Sequence, residues 1–135
     1  MLQWFEKKSD TIYAIFRIFV GLLFMQHGLQ KIFGLFGGMG DGATAELFSL
    51  MWFAGYIELI GGLAVALGFF TRIAALISTL EMAIAYVIAH GRNAIFPIVN
   101  KGELAILYFF CFLLILALGA KKWGLEKALL KREIF

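Results

Sequence analysis

Four long stretches of this chain are apolar enough to lie in lipid, and they constrain the fold more than any other feature. They cover residues 11–33, 46–68, 72–90 and 102–119. A helix needs ~20 mostly apolar residues to cross the hydrocarbon core of a bilayer, and each stretch is about that long. Because backbone polar groups in lipid must be hydrogen-bonded internally, such segments form helices. The sequence therefore predicts an all-α polytopic membrane protein, folded as a bundle of four transmembrane helices.

The composition agrees with a chain that is solvated mainly by lipid. Hydrophobic residues make up 62% of the 135 residues and charged residues only 16%, whereas soluble domains are about half apolar and a quarter charged. The breaks between the stretches are short and carry turn residues, as in GLFGGMGDGA, FFTR and GRNAIFPIVNK. Residues 1–135 are therefore predicted to form a single transmembrane domain, with a basic tail over residues 120–135.

Basic residues predict the orientation of the bundle. With four spans, both termini and the turn at 69–72 lie on the same side, and Arg92, Lys101 and the neighbouring Lys31 lie on the other side. Lys and Arg are more frequent in cytoplasmic loops, so we expect both termini in the cytoplasm. The clusters accompany no nucleic-acid-binding motif, so the lipid bilayer and not nucleic acid is the expected partner. The basic residues on the first side are Lys7, Lys8, Arg72, Lys121, Lys122, Lys127, Lys131 and Arg132.

Several ionisable residues lie inside the apolar stretches. At ~100° per residue, Arg17, His27 and Lys31 share one third of the first helix with two glycines. Glu58 and Glu81 each lie on a stripe of small residues that recur every three or four positions in the second and third helices. Small residues let helices approach closely, so these charged faces are also the predicted packing faces.

The cost of burying charge predicts which of these groups meet. An unpaired charge at the bilayer centre costs at least ~2.5–3.5 kcal/mol, so ionised groups are expected to pair inside the bundle. Their depth along the helices predicts that Arg17 pairs with Glu58 and Glu81. Whether such pairs form a functional pocket or a structural clasp stays open at this point.

A second polar group is predicted near the opposite membrane face. Lys31 is expected to pair with Glu103, with the imidazoles of His27 and His90 nearby. Two histidines on different helices can ligate a haem, but hydrogen-bonded side chains near the interface are the simpler interpretation. No cysteine or histidine spacing fits a zinc site, so no metal site is predicted. The full set proposed as a polar core or ligand site is Arg17, His27, Lys31, Glu58, Glu81, His90 and Glu103.

No catalytic residue can be assigned from the sequence. It contains no nucleophile elbow, phosphate-binding loop or dinucleotide fingerprint, so no cofactor of its own is expected. The single cysteine, Cys111, lies within an apolar run, where a small buried residue is the simplest interpretation.

Five segments together resemble the DoxX family of small four-helix bacterial inner-membrane proteins. They are RIFVGLLFMQHGLQKIFG, YIELIGGLAVALGFFTRIAAL, EMAIAYVIAHG, NKGELAILYF and ALGAKKWGLEKAL. The shared elements are an Arg and His-Gly-x-x-Lys in the first span, Glu-x-x-Gly-Gly in the second, Gly-x-x-Thr-Arg at the turn and Gly-Glu before the fourth. The matching positions are Arg17, His27, Gly28, Lys31, Glu58, Gly61, Gly62, Gly68, Thr71, Arg72, Gly102 and Glu103.

The resemblance implies a multi-pass protein of the bacterial inner membrane that works with a redox system. The family is named for subunits associated with a terminal quinol oxidase, and relatives resemble subunits of thiosulfate:quinone oxidoreductases. Other members are tied to thiol or oxidative-stress systems as membrane partners. The resemblance transfers no catalytic mechanism to residues of this chain, so whether it is an oxidoreductase subunit stays open.

Three functions are compatible with these observations. The leading hypothesis is a membrane subunit or partner of a redox system that binds a quinone or another amphipathic molecule in its polar core. There, His27 and Lys31 would hydrogen-bond a carbonyl group or transfer a proton. The alternative is a non-enzymatic scaffold or assembly factor whose buried charges lock the helices. A small transporter is a third hypothesis, and the glycine stripes leave a homo-oligomer open.

Overall fold

The computed structural model describes residues 2–92 and 94–132, and the secondary structure within them is entirely helical. This confirms the predicted fold class. Two short helical turns accompany the six α-helices, a 3₁₀ turn at Leu35–Gly37 and a π-helical turn at Tyr86–His90 that continues α3. The α-helices are α1 Leu2–Phe33, α2 Leu50–Leu67, α3 Thr71–Ala85, α4 Pro97–Asn100, α5 Glu103–Leu118 and α6 Leu125–Leu130.

The long helices have the length and composition of membrane spans. Among the described residues, α1, α2 and α3 with its π-helical turn are each long and apolar enough to cross a bilayer. The apolar helix α5 has 16 residues and is ~24 Å long at 1.5 Å per residue. The four helices form the bundle that the sequence predicts, while the number of membrane passes stays a prediction.

With α3 and its π-helical turn taken together, the helix bounds differ from the predicted spans by more than one residue at two places. Helix α1 begins at Leu2, well before residue 11. Helix α2 begins at Leu50 and not at 46, because Ser49 ends the preceding loop as an N-cap. Its side chain accepts a hydrogen bond from the Trp52 N–H at 3.2 Å, which satisfies one of the free donors at a helix start.

Helices α1 and α2 are in backbone contact along most of their length. A β-carbon on Gly21 would lie 2.6 Å from the carbonyl oxygen of Gly62, and one on Gly28 would lie 2.6 Å from that of Gly55. These are distances that no side chain tolerates. The predicted small-residue faces are therefore the packing faces, and this tight pair fixes the register of α1 against α2.

The two ends of the bundle differ in structure. At one end, which we call the hairpin end, Phe69 and Phe70 connect α2 to α3. Gly68 closes α2 in the left-handed conformation (φ 68°), and its carbonyl oxygen accepts a hydrogen bond of 3.1 Å from the Glu126 N–H. The start of α6 is thus docked on the hairpin. The other end, which we call the loop end, carries the connections over residues 34–49 and 91–102.

The predicted basic tail is only partly helical. Helix α6 covers Leu125–Leu130, and the last three residues of the chain lie outside the described part. Glu126 is completely buried. Lys121 also forms an ion pair of 2.7 Å with Asp10 of α1. The tail therefore packs against the bundle at the hairpin end.

Candidate functional site

Arg17 is completely buried at the hairpin end, and its guanidinium donates to backbone carbonyls. Nη1 donates to the carbonyl oxygens of Val65 and Ala66, the latter at 3.0 Å. Nη2 donates to those of Lys122 and Trp123 at 3.2 and 3.1 Å. The first two carbonyls belong to the last turn of α2 and the other two precede α6. Arg17 therefore ties α1, α2 and the tail together.

Arg72 makes the same kind of contact on another helix. Its Nη1 donates to the carbonyl oxygens of Leu116 and Ala117 at 2.7 and 3.1 Å, which lie in the last turn of α5. The final carbonyls of a helix have no partner within the helix and carry the negative end of its dipole. Both arginines thus satisfy C-terminal carbonyls, which is a structural role.

The predicted pairing of Arg17 with Glu58 and Glu81 is wrong. Side chains of an α-helix lean toward its N-terminus, so Arg17 extends toward the hairpin end and away from the middle of the bundle. There it meets the carbonyls of Val65 and Ala66, about two turns of α2 from Glu58. Depth along a helix describes where a Cα atom lies, and it does not include the direction in which the side chain extends.

Lys31 forms a buried ion pair with Glu58 in the half of the bundle nearer the loop end. The side chain of Glu58 is 4% exposed and that of Lys31 is 19% exposed. The same lean that removes Arg17 from this region brings Lys31 into it, because Lys31 reaches back from the end of α1. The backbone contact between Gly28 and Gly55 sets the two helices close enough for the pair to form.

The predicted pairing of Lys31 with Glu103 is therefore also wrong. Glu103 is exposed in the first turn of α5. A carboxylate is favourable at that position because it faces the positive end of the helix dipole. Glu103 therefore stabilises the start of α5, and it lies outside the polar site around Lys31 and Glu58.

Glu81 lies beside the Lys31–Glu58 pair without a direct bond to it. It is 9% exposed, and neither carboxyl oxygen has a hydrogen-bond partner among the described residues. It is nevertheless close enough to Glu58 and Lys31 to interact with both electrostatically. The buried set contains two carboxyl groups and one ammonium group. The set is neutral when one carboxyl group holds a proton. That state avoids the cost of an unpaired buried carboxylate.

A polar cavity opens directly on this ion pair, and we call it the polar chamber. Its volume is about 220 Å³, and its lining residues are Phe24, His27, Lys31, Glu58, Met82, His90, Lys101, Leu104, Ala105 and Tyr108. A second cavity of about 210 Å³, which we call the side cavity, is lined by Gln26 and Gln30 among others. At ~30 Å³ per water molecule, either cavity has room for several waters or one small ring.

His27 and Tyr108 line both cavities and form the wall between them. Their ring centroids are 5.8 Å apart and the rings are perpendicular. Both side chains can donate and accept hydrogen bonds. Each cavity is therefore bordered by two side chains that can hydrogen-bond to a molecule inside it.

The loop-end wall of the chamber is held by a hydrogen-bond network around Asn100. The Nδ1 of His90 donates to the carbonyl oxygen of Asn100 at 2.9 Å. The Nδ2 of Asn100 donates to the Tyr86 hydroxyl at 3.1 Å and to the Ala94 carbonyl at 3.0 Å. Its Oδ1 accepts from the Gly102 N–H at 2.8 Å. The network orients His90, with one ring nitrogen committed to the backbone.

The structure thus brings together five of the seven predicted site residues. His27, Lys31, Glu58 and His90 line the chamber, and Glu81 lies next to it. Arg17 and Glu103 lie elsewhere.

Tyr108, Asn100 and Lys101 were not predicted from the sequence. Tyr108 had a visible signal, since it is a hydroxyl-bearing residue within the apolar run of α5. Asn100 and Lys101 stand in the NKG segment before α5, where loop residues are hard to place from sequence.

The ion pair makes a testable contribution to stability. We expect Lys31→Met to lower the free energy of unfolding by about 3 kcal/mol, because removing one partner leaves the other buried and uncompensated. The double variant Lys31→Met with Glu58→Gln should recover most of that loss, since an apolar or neutral replacement of a whole buried pair is often tolerated. Denaturation of the detergent-solubilised variants measures both values. Equal losses in the single and double variants would contradict the pairing.

Comparisons with known proteins cover most of this site. The family model described as DoxX matches residues 12–91, which carry the α1, α2 and α3 sides of the chamber. A protein of Haemophilus influenzae (strain Rd) described as uncharacterized is 39% identical over an alignment 132 residues long, which covers 94% of this chain and 97% of that protein. No solved structure matches the chain. In the part of the chain that the structure describes, no group of three or more His, Cys, Asp and Glu side chains is placed to hold a metal ion.

Proposed function

This chain belongs to the DoxX family of membrane proteins, and from that premise we propose that its polar chamber binds the head group of a quinone-like amphipathic molecule. The protein would act as a membrane subunit or partner of a redox system. The observation that carries the proposal is the Lys31–Glu58 pair, which opens onto a cavity shared with His27, His90 and Tyr108.

The chemistry of the chamber suits such a head group. A quinone carbonyl accepts hydrogen bonds, and the Lys31 ammonium, the His27 ring and the Tyr108 hydroxyl are donors around one cavity. A quinol releases two protons and two electrons when it is oxidised, and the carboxyl groups of Glu58 and Glu81 are proton acceptors nearby. Electrons would be exchanged with a partner subunit, and the residues of this chain would bind the molecule and handle its protons.

The proposal includes an orientation. In it, the protein lies in the inner membrane of a bacterium, with the hairpin end and both termini in the cytoplasm, and the distribution of Lys and Arg supports this orientation. The chamber then lies in the outer half of the bilayer, and the side cavity with Gln26 and Gln30 leads toward the outer face. Proton exchange would take place on that side.

Ligand-induced stabilisation tests the proposal. A water-soluble quinone without a hydrocarbon chain should raise the unfolding temperature of the purified protein in lipid nanodiscs, since a ligand at 100 times its Kd adds about 2.7 kcal/mol of stability. Tyr108→Phe should reduce the shift, because it removes a hydroxyl group from the chamber.

The matched control is Tyr56→Phe, at an exposed tyrosine on α2 outside the chamber. It should keep the full shift. The absence of any shift for the wild-type protein at saturating quinone would overturn the proposed function.

The scaffold function remains a second candidate because of a specific observation. The carbonyl contacts of Arg17 and Arg72 hold the helices and the tail together without any ligand. On this alternative, variants of His27 and Tyr108 should assemble with the partner complex as the wild type does and support its full activity. Loss of activity with retained assembly would instead favour the chamber.

A further inference from the structure

A long apolar groove runs between α2 and α3 on the outside of the bundle. One part has a volume of about 350 Å³ and the adjoining part about 620 Å³, and Ile57 and Ile77 line both. In the smaller part every lining residue is apolar except Glu81. The two helices touch where Gly61 faces Ser78, since a β-carbon on Gly61 would lie 2.9 Å from the Ser78 Oγ. The groove is thus a space in the membrane-facing surface, and its floor is closed at the Gly61–Ser78 contact.

Glu81 is the feature that distinguishes this groove from an ordinary lipid-facing crevice. It lines the groove and is nine-tenths buried, and neither of its oxygens has a hydrogen-bond partner among the described residues. A polar group in that situation is costly unless a partner arrives. Glu81 is also close enough to interact electrostatically with Glu58 and Lys31, which line the polar chamber.

The position of Glu81 therefore connects an apolar space with a polar one. Lys31 and Glu58 are held by their ion pair, whereas no hydrogen bond from the described residues holds the carboxyl group of Glu81 in one rotamer. A change of its rotamer is the movement that a gate between the groove and the chamber would require. A head group that arrives from the bilayer would meet this carboxyl first.

We propose that the ligand reaches the chamber laterally from the bilayer, that its hydrocarbon chain lies in the α2–α3 groove, and that Glu81 is the gate between them. This inference rests on the function proposed above and adds the route and the site of the chain. The occupant is the alkyl or isoprenoid chain of an amphipathic molecule with an uncharged head group. The apolar lining fits the chain, and the single carboxyl group fits a hydroxyl or carbonyl group.

Photolabelling tests where the chain lies. The protein, reconstituted in phospholipid vesicles, is illuminated with a quinone that carries a diazirine in its alkyl chain, and labelled peptides are identified by mass spectrometry. We expect labelling to concentrate on α2 and α3 near Ile57 and Ile77. An excess of unlabelled long-chain quinone should abolish it, and added phospholipid should not. Uniform labelling of all membrane-facing helix surfaces, without competition, would show that bulk lipid fills the groove and would overturn the inference.

A groove-filling variant sharpens the test. Ala54→Phe adds a ring to the groove and should reduce the labelling at least fivefold. The matched control is Ala117→Phe on an exposed position of α5, which should leave the labelling unchanged. Unreduced labelling in a folded Ala54→Phe protein would overturn the inference. Competition in the wild-type protein gives an answer even if this variant does not fold.

The gate role of Glu81 has its own readout. Glu81→Leu should lower stabilisation by the long-chain quinone in vesicles by a larger factor than stabilisation by the chain-free quinone, and Glu81→Gln should restore the former. If the chain-free quinone binds but the groove is not labelled, the lateral route is wrong and the proposed function stands. If neither quinone binds the wild-type protein, the proposed function itself fails.

Discussion

Replacing Arg17 by alanine is expected to lower the free energy of unfolding by about 3–5 kcal/mol, which is the largest loss that we predict for a single substitution in this protein. The guanidinium donates to four backbone carbonyl oxygens, from Val65, Ala66, Lys122 and Trp123. The variant removes this donor from all four acceptors, of which Val65 keeps a bond of 3.2 Å from the Gly68 N–H, and it creates a cavity at a completely buried position. Reversible denaturation of the protein in mixed micelles measures the loss.

Two further variants show whether the loss comes from the guanidinium contacts. Arg17→Lys should recover little of the lost stability. A compact ammonium group cannot donate to the carbonyls of α2 and of the tail at the same time, as the planar guanidinium does. Arg92→Ala removes the same side chain from an exposed loop position and should change stability by less than about 0.5 kcal/mol. If Arg17→Ala were as mild as Arg92→Ala, the carbonyl contacts would not hold the hairpin end.

The second large effect is expected at the contact between α1 and α2. Gly28→Ala should destabilise the protein by about 2 kcal/mol and Gly28→Leu by about 3 kcal/mol or more, as is typical of overpacked sites. A β-carbon on Gly28 would lie 2.6 Å from the Gly55 carbonyl oxygen. That atom belongs to the backbone, so relief requires the helices to separate. Separation would also lengthen the Lys31–Glu58 pair, so ligand-induced stabilisation should decrease in Gly28→Ala.

Gly91→Ala is the matched control for this substitution. A β-carbon on Gly91 meets only atoms of the turn that precedes it, the nearest being the Val87 carbonyl oxygen at 3.2 Å. We expect a change within about 0.5 kcal/mol there. Alanine favours a helix over glycine by up to about 1 kcal/mol. A measured loss of stability in Gly28→Ala is therefore the net of this gain and the larger cost of the clash. Equal stabilities of the two variants would mean that the α1–α2 contact has room for a methyl group.

These predictions separate two kinds of buried charge in one membrane protein. At the hairpin end, Arg17 and Arg72 satisfy the carbonyls at the ends of α2 and α5. Nearer the loop end, Lys31 and Glu58 line the polar chamber, and beside them lies Glu81, whose carboxyl group has no hydrogen-bond partner among the described residues. Substitutions in the first group should mainly change stability, and conservative substitutions in the second should mainly change ligand binding.

The sequence alone determined which residues face the interior. Helical periodicity placed Arg17, Glu58 and Glu81 on faces rich in small residues, and all three are buried. This prediction succeeds because the angular position of a residue on a helix depends only on the local repeat of ~3.6 residues per turn. The long apolar segments and the turn residues between them likewise predicted the bundle. A single apolar segment in lipid can satisfy all its backbone hydrogen bonds internally only as a helix.

Only the tertiary structure decided which buried groups meet. The partner of Lys31 is Glu58 and not Glu103, and the partners of Arg17 are carbonyls of α2 and the tail. These choices depend on the register set by the glycine contacts and on the lean of each side chain toward its helix N-terminus. Pairing also depends on residues far apart in the chain, such as Tyr108 and His27. No local repeat carries that information, because a difference of one turn along a neighbouring helix changes the partner.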